Sequence, residues 1–554
     1  LDHIESEYPI TILLGVLRAA RASRARVLIF LGGWLSPSAD EPVTRNFVYD
    51  FIRHGSLDGI ILMAGSLSNY SGVEVFRRWL SRFAGIPLVA LGLPVEGVPC
   101  IYTDNGVGTY SVVSHLIGVH SARRIAFIGG PEQSTEAQAR LGAYKQALVD
   151  NEISTDARLI VQGGLGREEG IVGATTLLDD RRFAPATLNA IVGVNDDVAL
   201  GVIELLSRRG IGIPNPVAVV GFDDTTYAGL ANPSLTTVNQ NIELQGYTAA
   251  RALLGQVEGK PVKGEKLQPE LILRASCGCV MRPQFAPRSL TPPKGMTKNC
   301  RLTLIERRAT LLAEVSRAAA GHLSGAPGWE ASLLDALGTE LEGTDRGKFV
   351  RQLERIVRQN AVEPEQLDAC HNVLTTVRSQ GLLCAAADPP AVPLLEDLFQ
   401  ESRLMVARVA ADLQRELRHG NSLHLRIITK SCMSLAAGTG TMAELEGSLR
   451  EHLPSLGIET FTVARFKGAP SAGLCEIVAQ SARGAQKQGS TVAAAEVGHD
   501  PSLEEEAMVV MEPLEFASQP LGVAALSWGA HDPLMYEQLR EMLGMAIYVG
   551  QPRG

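Results

Sequence analysis

The stretch that most narrows the folds open to this chain runs from Ala190 to Asp224, AIVGVNDDVALGVIELLSRRGIGIPNPVAVVGFDD. Its opening run, Ala190–Val194, is short, rich in Ile and Val, and halted by Asn195, Asp196 and Asp197, the pattern of a strand buried on both faces that ends at a polar rim. A helix is expected at once. Val198, Leu200, Val202, Ile203, Leu205 and Leu206 fall on a helical period, Arg208 and Arg209 place cations at its end, Gly210 stops it, and Pro214 and Pro216 prevent a restart. Val217–Val220 then makes a second strand, ending in Gly221-Phe222-Asp223-Asp224. Such a strand–helix–strand unit sets acidic residues at the carboxyl ends of its strands, where open parallel sheets bind ligands.

The same alternation recurs upstream. Ile10–Ala22 carries a helical apolar face (Ile12, Leu13, Val16, Leu17, Ala20), and Val27–Phe30 is a buried strand closing at Gly32-Gly33-Trp34. Phe47–Ile52 reads as a short helix, Gly59–Met63 as a strand, Val73–Phe83 as a helix and Pro87–Leu91 as a strand. Gly108–Ile117 is again helical, and Arg124–Ile128 is a strand. This order predicts an α/β fold with parallel sheets covered by helices. A chain of 554 residues exceeds one core, so two to four domains are expected.

NDDVALG, then IPNPVAVVGFDD, then PSLTTVNQNIELQG resemble the effector-binding core of the lactose/galactose repressor family, whose fold is that of periplasmic sugar-binding proteins. The resemblance implies a two-lobed periplasmic-binding-protein-like domain over residues 1–280. It also implies that the family's first strand, and any helix-turn-helix before it, is absent from this chain. RIAFIGGPEQSTEAQARLGAYKQAL, residues 124–148, resembles the start of the second lobe. It places Arg140 in the cleft to hold ligand hydroxyls, a task for which a guanidinium fork is suited; a solvated helical arginine is the plain alternative. Asp196 takes the position of an acid that accepts hydrogen bonds from sugar hydroxyls, although Asn195, Asp196 or Asp197 can equally cap the helix. Gln240 matches a polar side chain turned toward ligand. Asp223 and Asp224 are turn residues on this reading, not an acid/base pair. Trp34, Ser66 and Asn69 follow strands of the first lobe and are candidates for a stacking face and hydroxyl contacts, or for exposed loop. Leu271–Leu273 and Ser276–Cys279 are expected to close lobe one as its final strand.

Pro283, Pro287, Pro292 and Pro293 mark a linker over 281–298. Residues 299–420 turn helical, in segments near Leu302–Ala320, Glu330–Leu341, Lys348–Gln359, Glu363–Ser379 and Leu394–Arg418. The last bears a narrow stripe, Leu395, Leu398, Met405, Val409, Leu413 and Leu417, suited to a seam between two subunits of a homodimer, and equally to packing on its own domain. Residues 421–554 combine a helix through Leu435, Met442–Leu453, strands at Glu459–Phe466, Cys475–Ala482, Ala507–Phe516 and Leu521–Trp528, and a closing helix Pro533–Tyr548. With LREHLPSLGIETFTVARF and MEPLEFASQPLGVAAL, this part resembles a GAF-type sensory domain, α+β in class.

No nucleotide-binding loop, metalloprotease or nucleophile-elbow motif is present, so no catalytic residue and no cofactor is expected. The charge of 51 − 60 = −9 is spread, which argues against direct nucleic-acid binding. No apolar run approaches 18 residues, so no membrane span is expected. The scattered cysteines read as reduced thiols in a cytoplasm. Cys277 and Cys279 with Cys300 offer at most three metal ligands, with no fourth at finger-like spacing, so no metal is expected. Together these readings describe a bacterial sensor of a small polar, sugar-like ligand acting through a helical connector on an output domain or partner. The alternatives are an interaction scaffold with a degenerate cleft and the sensory half of a histidine kinase or diguanylate cyclase.

Overall fold

The computed structural model describes residues 1–4, 6–35, 44–52, 57–279, 299–319, 323, 328–360, 364–386, 388–437, 439–470, 473–481, 489–499, 503, 508–529 and 533–549. The linker expected at 281–298 lies outside them. Two compact units result. One joins Leu1–Met281 to Leu425–Gly554, and the other is Arg282–His424.

Within the first unit, lobe two realises the unit from which the sequence reading started. Its parallel sheet has the order Ile160–Val161, Ile125–Ile128, Ala190–Gly193, Ala218–Val220. Ile125–Ile128 and Ala190–Gly193 are buried at every position, as expected of strands covered by helices on both faces. The helix Asp196–Arg208 follows directly and buries Val198, Val202 and Leu206. Lobe one holds a second parallel sheet, Glu265–Leu267, Cys100–Thr103, Leu88–Leu91, Ile60–Leu62. Ile12 and Val16 from Glu7–Ser23, and Ala249 from Ile242–Val257, pack with Val89 and Ile101 of that sheet.

Both lobes bring a helix pair into backbone contact through reciprocal glycines. In lobe one, a Cβ on Gly15 would stand 2.0 Å from the Glu243 carbonyl oxygen, and one on Gly246 would stand 2.0 Å from that of Ile12. In lobe two, the corresponding distances are 2.1 Å from Gly170 to the Val198 oxygen and 2.0 Å from Gly201 to the Arg167 oxygen. No side chain fits at these four positions unless the helices separate.

Two assignments differ from expectation. Val27–Phe30 is a strand, but it does not join the lobe-one sheet, whose edge is Ile60–Leu62. It pairs in parallel with the C-terminal domain, Val27 opposite Met508 through Phe30 opposite Met511. An extended segment with open N–H and C=O groups must find a partner, and the exposed edge of Met508–Phe516 supplies one. Ser276–Cys279 is also not a closing strand of lobe one. Only Glu270–Ile272 is extended, antiparallel to Thr237–Asn239, and Ala275–Cys277 is a 3-10 turn. The Ser276 hydroxyl donates to the Val219 carbonyl at 2.6 Å, which fastens the segment to lobe two.

The C-terminal domain places Met508–Phe516, Gln519–Ser527, Phe461–Phe466, Leu474–Gln480 and Thr491–Ala493 side by side, all antiparallel. The helices Met442–His452 and Leu534–Val549 accompany this sheet. The first opens with a capping box between Thr441 and Glu444.

The second unit is helical: Cys300–Glu306, Arg308–Ala319, Trp329–Glu342, Lys348–Asn360, Pro364–Ala385 and the start of Ala391–Ala436. That last helix has 46 residues and joins two segments expected to be separate, because Gly420 alone costs a helix only about 1 kcal/mol. Part of the apolar stripe packs within its own chain, while the Leu417 side chain lies outside the described residues. Leu395, Leu398, Val406 and Val409 are buried in a common core with Phe349, Val373 and Phe399. Among the described residues no helix is long and apolar enough to cross a membrane.

The glycine crossings make a test. Gly246→Ala and Gly201→Ala are each expected to lose about 2–4 kcal/mol of stability. Gly142→Ala, where a Cβ meets nothing within 4 Å, is expected to be neutral or stabilising by up to about 1 kcal/mol. Urea titrations of the three variants would show it, and equal losses in all three would remove the crossing argument.

Candidate functional site

The lobes meet at the carboxyl ends of their strands. Asn195 caps the helix Asp196–Arg208, its Oδ1 accepting from the Val198 N–H at 3.0 Å. This leaves Asp196 pointing inward, fully buried. Its Oδ2 accepts from the Thr225 N–H at 2.9 Å and the Thr225 hydroxyl at 3.2 Å, and its Oδ1 from the Thr237 hydroxyl at 2.5 Å. Burial outweighs these donors and raises the Asp196 carboxyl to about 6. A Cβ on Gly221 would sit 2.3 Å from Asp196 Oδ1, so the glycine of GFDD is required by this carboxylate. Asp196 holds the loop to the hinge strand, and both its oxygens are occupied in doing so.

The helix Thr135–Asp150 carries Arg140, which is buried rather than solvated. Its Nε donates to Asn105 Oδ1 at 2.8 Å and its Nη1 to the Val194 carbonyl at 2.7 Å. The guanidinium carbon lies 3.9 Å from the centre of the Phe222 ring, a cation–π contact. Asp223 Oδ1 stands 3.7 Å from Arg140 Nη1 and accepts from Gln240 Nε2 at 2.6 Å. Asp223 (φ 131°) and Asp224 (φ 62°) both have positive φ, Asp223 is bridged to Asn239, and Asp223 also belongs to this cluster. Burial raises its carboxyl well above the ordinary range. Arg140 opposes that, but Asp196, Asp197 and Glu136 add to the burial effect. Asp224 turns away to Arg274 at 2.6 Å and Asn239 at 2.9 Å.

Gln240 is buried and shares contacts with Gln245, whose Nε2 donates to the Gln240 carbonyl at 2.9 Å and lies 3.1 Å from the Thr103 hydroxyl. From the lobe-two side, the Glu136 carboxylate reaches into lobe one. A Cβ on Gly65 would stand 2.7 Å from its Oε2 and one on Gly92 3.3 Å from its Oε1, while Asn105 Nδ2 lies 3.4 Å from Oε1. The lobes are therefore closed on each other. Tyr8 faces the same space, its phenol pushed well above 10 by burial and by the Glu136 and Asp223 charges.

The lobe-one candidates lie farther out. Ser66 donates to Asp2 Oδ1 at 2.8 Å. Burial pushes the Asp2 carboxyl up, but His3 and Ser66 outweigh it and the net shift is down. Asn69 is buried just after the helix Ala64–Ser68. Trp34 is 40% exposed, its ring centre 5.2 Å from that of Tyr70; together the rings form an aromatic lip. The structure thus joins Arg140 and Gln240 directly through Asp223, links Asp196 to them through the Phe222 loop, and sets Trp34, Ser66 and Asn69 at the lobe-one rim. Sequence reasoning missed Glu136, Tyr8, the contact of Asn105 with Arg140 and the place of Asp223 in this cluster. Asn105, just after the strand Cys100–Thr103, had the signal of a polar strand end; Tyr8 and Glu136, in the first turns of helices, had none. A 340 Å³ pocket opens at the hinge edge, lined in part by Glu7, Arg18, Asp223 and Asn239. A 550 Å³ groove near Phe83 and Pro87 lies at the amino ends of the lobe-one strands and shares no residue with the cluster.

Residues 113–277 match the periplasmic binding protein-like domain family. The chain is 34% identical over 199 residues to the HTH-type transcriptional regulator CelR of Thermobifida fusca, covering 35% of this chain and 57% of that protein. It is 29% identical over 238 residues to the HTH-type transcriptional regulator DegA of Bacillus subtilis (43% and 68%), and 29% identical over 232 residues to the HTH-type transcriptional repressor CytR of Escherichia coli K12 (41% and 64%). A solved CelR–cellobiose complex aligns at 30% identity with a TM-score of 0.42, covering 49% of this chain and 80% of that one. The chain spans little more than half the length of CelR. It carries a two-lobed effector-binding domain of the lactose-repressor type, and its relatives are transcriptional regulators.

Those relatives overturn the exclusion of nucleic acid as a partner, since each is named a helix-turn-helix regulator or repressor. The charge argument fails for a physical reason: phosphate binding is a property of one recognition surface, and a net −9 over 554 residues describes no single face.

Asp196 offers a signed test. Because its native carboxyl sits at about 6 instead of 3.8, the folded state holds the proton more tightly. Its contribution to stability is fully present below about pH 4 and is lost as pH rises through about 6, by an amount on the order of 3 kcal/mol. Asp196→Asn removes that dependence. Its melting temperature is expected to gain on the wild type between pH 4 and pH 7, and parallel curves would show that the carboxyl does not titrate in this window.

Proposed function

We propose that this chain is a non-catalytic, cytoplasmic regulatory protein that binds a neutral, polyhydroxylated ligand of sugar type between its two lobes. The observation that carries the reading is the buried Arg140–Asp223–Gln240 cluster at the facing strand ends. Hydroxyl groups need donors and acceptors side by side. Arg140, Gln240, Ser66 and Asn69 supply the first and Asp223 the second, while the Trp34–Tyr70 lip offers a stacking face for a sugar ring. An anionic ligand is disfavoured, because Asp223 already stands 3.7 Å from the Arg140 guanidinium. Asp196 is a positioning residue in this scheme: it holds the Phe222–Thr225 loop against which Arg140 and Asp223 are set.

Ligand entry requires Glu136 to leave the Gly65–Gly92 gap, so binding and lobe angle are coupled. The ligand shifts the population between two lobe arrangements by its differential affinity for them. The helical unit, the GAF-like C-terminal domain and a homodimer would pass the change to an output that includes DNA or a protein partner. A second reading, an interaction scaffold, is favoured by the same Glu136, because the protein's own side chain fills the gap.

A thermal-shift screen of the full chain against mono- and disaccharides including cellobiose, polyols and nucleosides separates the two. A sensor is expected to gain several degrees with at least one compound, since ligand at a hundred times its Kd adds about 2.7 kcal/mol. Arg140→Lys and Trp34→Ala are expected to reduce that shift at unchanged ligand concentration. If no compound moves the transition, the scaffold reading replaces the sensor.

A further inference from the structure

The helix Asn105–His120 begins in the cleft, where Asn105 meets Arg140, and ends about 22 Å away along its axis. At that far end, His115 and His120 face the Cys277-Gly278-Cys279 turn. The two imidazoles approach Nε2 to Nε2 at 3.2 Å. Cys279 Sγ lies 3.4 Å from His115 Nε2 and 3.4 Å from His120 Nε2, and Cys277 Sγ lies 3.8 Å from His115 Nε2. All four ligating atoms fall within 4.8 Å of one another. They come from segments 159 residues apart in the case of His120 and Cys279, so local sequence does not force the convergence.

These spacings are the edges of a coordination tetrahedron. Metal–nitrogen bonds of about 2.05 Å and metal–sulfur bonds of about 2.3 Å at tetrahedral angles place two nitrogens about 3.3 Å apart and nitrogen and sulfur about 3.6 Å apart. Two imidazoles and two thiols, with no carboxylate in the set, suit a borderline-soft divalent cation and not Mg²⁺ or Ca²⁺. The surroundings agree. The Thr236 hydroxyl lies 3.1 Å from Cys277 Sγ, as an outer-shell donor to a thiolate would. Gly278 adopts φ +100°, and a Cβ there would stand 3.4 Å from the His120 ring, so only glycine lets both cysteines turn to one point.

We propose that His115, His120, Cys277 and Cys279 form a structural zinc site. All four positions are filled by protein, which leaves no open position for catalysis. The site clamps the last turn of the ligand-binding domain to the helix that starts in the cleft, so the point at which the chain leaves lobe two is fixed relative to Arg140's partner Asn105. Cys277 and Cys279, read from sequence as lacking a fourth ligand, meet two histidines within their own unit. Cys300 belongs to the helical unit, where its Sγ lies 3.9 Å from the Gly381 carbonyl, and the missing ligands are histidines on a distant helix.

The test uses the full chain, produced without a histidine tag and purified without chelator. Elemental analysis is expected to find one zinc per chain, reduced at least tenfold in Cys279→Ser and in His120→Gln and retained in Cys475→Ser. Wild-type protein stripped by chelator and refilled with Co²⁺ is expected to show intense tetrahedral d–d bands and a thiolate-to-cobalt charge-transfer band, a readout that needs no variant to fold. Zinc content well below one per chain in the wild type, or unchanged in both ligand variants, overturns the proposal. So does a weak octahedral cobalt spectrum, or a mass showing a Cys277–Cys279 disulfide in the freshly isolated protein.

Discussion

A single carboxylate without access to water organises the rim of lobe two at the carboxyl ends of its strands. Asp196 sits at the first turn of its helix, its own N–H donates to the Phe222 carbonyl at 2.8 Å, and its oxygens gather Thr225 and Thr237. A buried carboxylate with no donors would cost several kcal/mol. Supplying three donors requires that the helix start, the GFDD loop and the hinge strand all stay where they are. The Phe222 ring is thereby fixed beneath the Arg140 guanidinium, and Asp223 beyond it. Specificity of backbone placement, more than raw stability, is what this polar core contributes.

From that rim the remaining geometry follows outward. Arg140 is held by a carbonyl and an amide before any ligand arrives, so its fork is preorganised. Glu136 projects from the first turn of the same helix into a gap that two glycines keep open. The cleft is thus complementary to itself as it stands.

Lobe two was legible in the sequence because its signals are local. Buried strands such as Ala190–Gly193 show as apolar runs, and Asn195 is a polar residue at a cap. The family resemblance pointed to Arg140, and the structure shows it buried. What escaped depends on contacts between distant segments. Val27–Phe30 reads as a strand from any neighbourhood, but its partner lies some 480 residues on, and periodicity carries no information about pairing. Asp223 was read as a turn residue; it has positive φ but is bridged to Asn239. Its second role depends on Arg140 and Gln240, which no spacing within GFDD reveals. His115 and His120 lie on a helix whose pattern is otherwise ordinary, and nothing near Cys277 announces them. The long helix Ala391–Ala436 escaped for the opposite reason: it was read as two segments, and Gly420 between them costs a helix too little to break it.

The pairing of Val27–Phe30 with Met508–Met511 makes a segment from the start of the chain the edge strand of the C-terminal sheet, while the lobe-one sheet remains separate. Val48, Tyr49 and Leu62 of that lobe also share a core with Val509, Met511 and Val523. Bodies joined by a continuous hydrogen-bond ladder do not rotate separately without breaking it. Separating the two would break that ladder and open the shared core at once, so they are expected to unfold as one body.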